Sequence, residues 1–315
     1  IEPGKIKLFE YCCADDSLLA QWFLNHKQEA LRLCLPDYDM RRPGNGRIVA
    51  AALRERAYRG QRSLVWVAFT CTPWCTWQTY NLATCNQVTV EKIKKARVES
   101  QEMLNILYDL VKEVLDDMDV EPYVHFAFEW PRWCRGWELD IVSKLRSFLT
   151  YTAEFDGCRF GLQDNHGDLL RKPWRVVTTL KPLAEALDGR CTGKHAHGVT
   201  CGVAAKATAY YTPAMVETIA RAVMAAEWPT ARVSALAGTD SAQVETSETA
   251  TSAAMPTATT GHGQHSRLNG LMPIDILNES SSEIMGPEAT RTSSRSSSLS
   301  SLGRETQEGT RSEEH

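Results

Sequence analysis

The sequence contains no aromatic residue and no cysteine from Ser234 to its end, where Ser, Thr, Ala, Gly and Glu dominate. Such a composition buries too little apolar surface to offset the entropy of ordering the chain, so we expect residues 234–315 to be a disordered tail. The tail carries five Lys and Arg against eleven Asp and Glu, which leaves 30 basic and 28 acidic residues before it. A near-neutral body is not the charge balance of a general nucleic-acid binder, although a local basic cluster can still bind phosphate.

Apolar runs long enough to span a membrane are also missing, and no signal peptide is recognisable. All ten cysteines lie before the tail at irregular spacing, which is not the pattern of a disulfide framework. We therefore expect reduced thiols, a cytoplasmic or nuclear location and no membrane partner.

The hydrophobic pattern before the tail alternates between strands and helices. It predicts strands at 5–10, 30–35, 64–70, 123–129, 151–155 and 175–180, and helices at 17–27, 47–59, 90–118, 137–149 and 212–226. Strand–helix–strand repetition predicts an α/β fold with a mostly parallel sheet that helices cover on both faces. We expect residues 5–180 to form this domain and residues 181–233 to form an extension that ends in a helix.

Three of the predicted strand ends are rich in reactive side chains. They read YCCADDS at 11–17, TCTPWC at 70–75 and EWPRWC at 129–134. Because ligands bind beyond the carboxyl ends of the strands in parallel sheets, these segments are the candidate site.

The ordered strand ends resemble the catalytic domain of DNA cytosine-C5 methyltransferases. Residues 70–75 stand where that family has Pro-Cys-Gln-x-Phe-Ser, and Glu129 matches the glutamate of its Glu-Asn-Val element. Residues 160–162 resemble its Tyr-Gly-Val element, and residues 172–177 resemble its Gln-x-Arg-x-Arg entry into a strand. The match covers residues 5–180 but lacks the family's glycine-rich turn and target-recognition segment. The layout is also similar to a module of retrotransposon-type polyproteins of dinoflagellate algae.

The resemblance implies a Rossmann-like, doubly wound sheet that binds S-adenosylmethionine and methylates cytosine in nucleic acid. In that mechanism Cys71 is the nucleophile that adds to C6, Glu129 contacts the base edge and Arg175 orients the base. A register that places Pro73 near the family's proline makes Cys75 the nucleophile instead. The implied cofactor-binding residues are Glu10, Cys12, Asp15 and Asp37. The alternative is a catalytically inactive module of a retroelement polyprotein that binds nucleic acid or is a zinc-stabilised structural unit, because free cysteine is most often a buried packing residue.

Four potential metal ligands follow in the extension, at Cys191, His195, His197 and Cys201. Thiolate and imidazole suit a tetrahedral zinc site, although the spacing is not that of a standard finger. The sequence therefore predicts zinc, bound by these four residues or by three of them with a fourth from elsewhere. The alternative is a glycine-rich loop with exposed histidines.

Basic and aromatic residues near the strand ends suggest contacts with nucleic acid. Arg54, Arg56 and Arg59 on the helix predicted at 47–59 would contact phosphate, and Trp74 and Trp77 would stack on unpaired bases. The alternative is that the tryptophans belong to the core, with their N–H groups bonded.

Overall fold

The fold was analysed in a computed structural model, which describes residues 5–199 and 208–229. Strands and helices alternate along most of this part of the chain, with short 3-10 turns between some of them. In chain order the elements are β1 (Ile6–Tyr11), α1 (Leu18–Asn25), β2 (Glu29–Leu33), α2 (Asn45–Tyr58), β3 (Arg62–Val67), α3 (Trp77–Thr84), α4 (Gln87–Leu115), β4 (Val124–Pro131), α5 (Asp140–Phe148), β5 (Tyr151–Asp156), β6 (Pro173–Thr178), α6 (Lys181–Leu187) and α7 (Pro213–Ala225).

The strands form one mixed sheet in the order β2-β1-β3-β4-β6-β5. Strands β2, β1, β3 and β4 pair with one another in parallel, whereas β6 is antiparallel to both β4 and β5. The chain moves outward from β1 to β2 and then returns to β3 on the other side of β1. The strand order therefore reverses between β1 and β3, and a crevice at such a reversal is where α/β sheets bind ligands.

Helices cover both faces of the sheet, and each face has its own apolar cluster. Helices α2, α4 and α5 pack over one face, and α1, α6 and α7 pack over the other. The central strands are buried on both faces, which explains why β3 reads as a nearly continuous apolar run. Helix α4 shows the opposite pattern, since its buried residues recur at helical spacing from Ile93 to Val114 and the positions between them are exposed or partly exposed.

The prediction of an α/β fold with a mostly parallel sheet is confirmed. The predicted disordered tail lies at residues 234–315, outside the described residues, and so does Cys201. Among the helices that the structure describes, none combines the length and apolar character needed to cross a membrane.

Candidate metal site and strand-end cluster

Two cysteines and two histidines meet at the carboxyl end of β5. Their ligand atoms, on Cys158, Cys191, His195 and His197, all lie within 4.8 Å of one another. The Sγ of Cys191 is 3.5 Å from Nε2 of His195 and 3.4 Å from Nε2 of His197. The same His197 nitrogen is 3.4 Å from Sγ of Cys158. We call these four residues the metal site.

The metal site joins two segments that are far apart in sequence. Cys158 lies in the 3-10 turn Gly157–Phe160, directly after β5, whereas the other three residues lie in the loop after α6. Asp156 accepts the backbone N–H of Cys191 at 2.8 Å, and the guanidinium of Arg159 donates to the carbonyl of Gly189 at 2.8 Å. At the other end of the loop, Gly198 N–H donates to the carbonyl of Leu169. The loop is thus held at both ends by hydrogen bonds to described residues.

The donor set fits zinc in chemistry and in spacing. Zinc bonds of about 2.0 to 2.3 Å in a tetrahedron place neighbouring ligand atoms about 3.4 to 3.8 Å apart, close to the sulfur–nitrogen distances of the metal site. Cys191 Sγ also accepts the N–H of Gly193 at 3.3 Å. Gly193 has φ +74°, a left-handed conformation that glycine adopts without strain.

Three of the four sequence-predicted metal ligands come together in the structure, and the fourth member of the cluster is Cys158. Cys201 lies outside the described residues, so its position is not part of this comparison. Cys158 is buried, and burial followed by the neighbouring Cys191 raises the pKa of its thiol to about 11. Bound zinc lowers the pKa of a thiol and keeps it deprotonated.

A second group of polar side chains lies beyond the ends of β3 and β4. Cys71 follows β3 and is partly buried, and Glu129 lies near the end of β4 with 7% of its surface exposed. Burial raises the pKa of Cys71 to about 11, and the pKa of the Glu129 carboxyl is also raised, mainly by burial. The two residues are close enough for the Glu129 charge to act on the Cys71 thiol.

Lys172 and Tyr211 complete this group, which we call the strand-end cluster (Cys71, Glu129, Lys172 and Tyr211). The Tyr211 hydroxyl donates to Oε2 of Glu129 at 3.0 Å and accepts the indole N–H of Trp66 at 2.9 Å. Burial lowers the pKa of Lys172, while the charges of Glu129 and Cys71 act against that shift. Sequence reasoning gave neither residue a role: Lys172 is the first residue of the motif at 172–177, from which only Arg175 was assigned a function, and no motif marks Tyr211.

Arg175 takes part in a different interaction. It lies on β6, and its Nη2 is 2.6 Å from Oε1 of Glu154 on the neighbouring edge strand β5. Its guanidinium also packs over the ring of Trp137, 5.2 Å from the centroid. The cation that acts on both Cys71 and Glu129 is Lys172.

Cys75 lies in the same loop as Cys71, beyond the 3-10 turn Thr72–Trp74. It is partly buried, and burial raises the pKa of its thiol too. The cation that lowers this pKa is Arg97 of α4 rather than Lys172. The two cysteines therefore have different charged neighbours.

The residues implied for cofactor binding lie at the ends of β1 and β2. Glu10 is buried, accepts the Ser17 hydroxyl at 2.7 Å, and has a pKa that burial raises to about 7. Cys12 has φ 57°, so a non-glycine residue occupies a left-handed turn at this point. Asp15 accepts the Cys34 thiol at 3.8 Å, and Asp37 is exposed after β2.

The predicted phosphate-contacting arginines lie near the amino ends of the parallel strands, whereas Cys71 lies beyond their carboxyl ends. Arg56 pairs with Glu29, the first residue of β2, at 3.0 Å. Arg54 pairs with Glu113 of α4 at 3.3 Å, and Arg59, the residue after α2, pairs with Glu55 of that helix. These ion pairs offset the positive charge that the sequence concentrates there.

The tryptophans of the strand-end loops divide into buried and exposed residues. Trp74 is 7% exposed and its indole N–H donates to Ser100 at 2.8 Å, whereas Trp77 is 73% exposed. Trp133 is 65% exposed and packs against the guanidinium of Arg132, whose Cζ lies 4.8 Å from the ring centroid. Two exposed indoles thus follow β3 and β4, one on the first residue of α3 and one in the turn after β4.

Comparison with known proteins assigns neither a family nor a function to these residues. No family model and no curated protein matches the sequence.

Proposed function

We propose that this chain is a zinc-stabilised α/β module, in which one zinc ion fastens the loop after α6 to the end of β5. The convergence of four soft or borderline ligand atoms within 4.8 Å carries the proposal. The two thiolates neutralise the charge of the ion, and the histidines complete a closed tetrahedral set without an open position. Such a closed set is typical of a structural site rather than of a catalytic one.

The energetic reason for such a site lies in the loop itself. Its residues from Thr192 to Ala196 are exposed, so apolar burial contributes little to fixing them. A ligand that binds the folded state alone stabilises it by about 4 kcal/mol at a thousand times its dissociation constant. Zinc therefore supplies the stabilisation that this loop does not obtain from packing.

Thermal unfolding of the purified chain, with zinc and after chelation, tests the proposal. We expect zinc to raise the melting temperature and chelation to lower it. His195→Ala should abolish the zinc-dependent rise. His26→Ala, directly after α1 and remote from the metal site in sequence and in contacts, should retain it. Equal melting curves with and without zinc would refute a stabilising metal.

A second candidate function is nucleic-acid methylation, for which the position of the strand-end cluster is the supporting observation. Cys71 follows β3 and Glu129 lies near the end of the neighbouring strand β4, close to the reversal of strand order. In a Rossmann-like methyltransferase S-adenosylmethionine and a flipped cytosine would bind there. In this proposal Cys71 adds to C6 and Glu129 contacts the base edge. The origin of the chain in a mobile-element polyprotein belongs to the same proposal.

The chemistry of this second candidate requires a thiolate at Cys71. A thiol with a pKa of about 11 is almost fully protonated near neutral pH, so a proton must leave Cys71 before or during attack. Lys172 favours the thiolate and Glu129 disfavours it. A substrate that donates hydrogen bonds to the Glu129 carboxylate would weaken the effect of its charge on Cys71. Substrate binding would thereby favour the Cys71 thiolate and assist the reaction.

Calorimetric titration with S-adenosylmethionine tests this candidate first. Binding followed by methyl transfer to cytosine, lost in Cys71→Ala and retained in Cys75→Ala, would support it, and the absence of binding heat would refute it. Nucleic-acid contact is tested separately, by fluorescence anisotropy with a single-stranded oligonucleotide. We expect Trp77→Ala with Trp133→Ala to weaken binding more than simultaneous alanine replacement of Arg54, Arg56 and Arg59, because those arginines already pair with acids.

A further inference from the structure

The two sulfur atoms of the metal site lie within reach of each other. All four ligand atoms are within 4.8 Å of one another, and Nε2 of His197 is 3.4 Å from Sγ of Cys158 and from Sγ of Cys191. A disulfide joins two sulfurs at about 2.05 Å, and a change of rotamer at either cysteine can close the remaining distance. The pair that can hold a metal can therefore also form a disulfide.

The backbone around this pair is fixed by hydrogen bonds that do not involve a metal. Gly189 forms a parallel bridge with Phe155, and Asp156 accepts the N–H of Cys191 at 2.8 Å. Cys158 follows Asp156 by two residues, in the turn after β5. Both cysteines are thus anchored at the end of β5, so they stay neighbours when the metal leaves.

Arg159 strengthens this anchorage from the turn itself. Its Nη1 donates to the carbonyls of Leu187, Asp188 and Gly189 at 3.3, 3.1 and 2.8 Å. The side chain next to Cys158 therefore binds the carboxyl end of α6, where the loop begins and where a cation is favourable. Gly189 has φ 138° and would place a Cβ 2.3 Å from the same nitrogen, so glycine allows this close approach.

The two cysteines differ in their exposure to solvent. Cys158 is buried, with 6% of its surface exposed, whereas Cys191 is partly exposed and leads into the exposed stretch 192–196. A small oxidant in solution therefore meets the sulfur of Cys191 first. Redox-sensing cysteines are accessible and stand next to a second, resolving cysteine, and Cys158 has that position here.

We propose that Cys158 and Cys191 form a redox-sensitive pair, in which a hydroperoxide oxidises the two zinc-bound thiolates to a disulfide and releases the ion. The proposal rests on the zinc-binding function proposed above and adds a regulator of the same site. In the reduced state zinc links the loop to the end of β5. In the oxidised state the disulfide replaces the ion as that link.

The peroxide balances the reaction. The Cys191 thiolate attacks one oxygen of hydrogen peroxide, the O–O bond breaks, hydroxide leaves, and Cys191 becomes a sulfenic acid. The Cys158 thiolate then attacks the sulfur of that sulfenic acid, a sulfur–sulfur bond forms, and a second hydroxide leaves. Two electrons pass from the sulfurs to the peroxide, and two protons from the solvent convert the hydroxides to water. The disulfide carries no negative charge to bind the ion, so zinc leaves.

The oxidised protein differs from the chelated, reduced protein in its stability. The disulfide closes a segment of more than thirty residues, which restricts the unfolded chain and so stabilises the fold. His195 and His197 take no part in the disulfide and lose the shared ion in both states. We therefore expect oxidation to release the histidines while Cys191 stays fastened to Cys158.

The test is stepwise addition of hydrogen peroxide to the zinc-loaded full chain. A chromogenic indicator measures the released zinc, and mass spectrometry of a non-reduced digest identifies the disulfides. We expect one zinc released for each Cys158–Cys191 disulfide, and reduction with a phosphine and added zinc should restore the site. The oxidised protein should melt about 5 to 10 °C above the chelated, reduced protein.

Three variants separate the roles of the cysteines. Cys201→Ala and Cys85→Ala should release zinc and form the disulfide as the unmodified protein does. In Cys158→Ala the sulfenic acid at Cys191 has no resolving thiol, so dimedone, which traps sulfenic acids, should label Cys191. In the unmodified protein this label should be weak, because Cys158 consumes the sulfenic acid.

The outcomes distinguish this inference from the zinc proposal. A chain that binds no zinc refutes the zinc proposal, and the inference fails with it. If zinc binds and peroxide releases it without a Cys158–Cys191 disulfide, the inference alone is overturned. The inference alone is also overturned if Cys191 pairs with Cys201 instead, or if zinc stays bound in a large excess of peroxide.

Discussion

Replacement of Asp156 by Asn tests the buried ion pair that supports the metal site. Asp156 is fully buried at the end of β5, 3.5 Å from Nη2 of Arg132, whose side chain is 5% exposed. It also accepts the N–H of Cys191 at 2.8 Å, which links the ion pair to the metal-binding loop. Asn has the same shape and can still accept that N–H, so the substitution removes the charge and keeps the contact.

The expected cost is large because it leaves the Arg132 guanidinium buried without its anion. Breaking one partner of a buried pair costs about 3 to 5 kcal/mol. Within the described part of the chain, Nε and Nη1 of Arg132 have no hydrogen-bond partner, so no other group there takes over the charge. Arg171, with its Nε 3.6 Å from Asp156, is half exposed and keeps its hydration, so it adds little to the cost. We expect a loss of about 3 kcal/mol.

Urea unfolding at saturating zinc measures this loss at constant metal occupancy. Glu138→Gln is the matched control, because it removes the acid of the exposed Arg135–Glu138 pair and should cost less than about 1 kcal/mol. Combining Asp156→Asn with Arg132→Met should recover at least part of the loss, since the double variant has no unpaired buried charge. A single-variant loss below about 1 kcal/mol, or additive losses in the double variant, would refute the reasoning.

Three further substitutions test other parts of the fold. Burial raises the pKa of Glu10 from 4.5 to about 7, so stability falls by about 3 kcal/mol as the pH rises between these values. Urea unfolding at several pH values should show that Glu10→Gln removes most of this pH dependence of the free energy of unfolding. An unchanged pH dependence would contradict the role given to Glu10. Ser100→Ala should cost about 1 to 3 kcal/mol by leaving the buried Trp74 N–H without its acceptor; a cost near zero in thermal unfolding would contradict it. Gly136→Ala should cost about 1 to 3 kcal/mol, because its Cβ would lie 2.3 Å from Trp130, and an unaltered near-ultraviolet circular dichroism spectrum would count against it.

Periodicity carried enough information to predict the strand and helix order. The apolar run at 64–70 contains most of β3, and the helical spacing at 90–118 contains most of α4, because burial imposes these patterns directly on the sequence. The short helices α3 and α6 were missed. Gln78 is the one buried residue of α3, so no apolar period marks that helix, and the seven residues of α6 span about two turns. The antiparallel direction of β6 also has no signature in periodicity, because a strand has the same alternation in either direction.

The candidate site was predictable only where its residues are close in sequence. Cys191, His195 and His197 lie within one short loop, so their spacing drew attention to them. Cys158 precedes them by more than thirty residues and reaches them because β5 and the loop after α6 pair through the bridge between Phe155 and Gly189. That pairing is a tertiary contact, and no local pattern in the sequence records it.

The zinc content of purified protein, measured by inductively coupled plasma mass spectrometry, tests the central claim most directly. We expect one zinc per chain in the unmodified protein and in Cys201→Ala, and loss of zinc in Cys158→Ala. Cys85→Ala, at the end of α3, is the control and should keep its zinc. A protein without zinc, or one that loses zinc in Cys201→Ala and keeps it in Cys158→Ala, would contradict the metal site described for this fold.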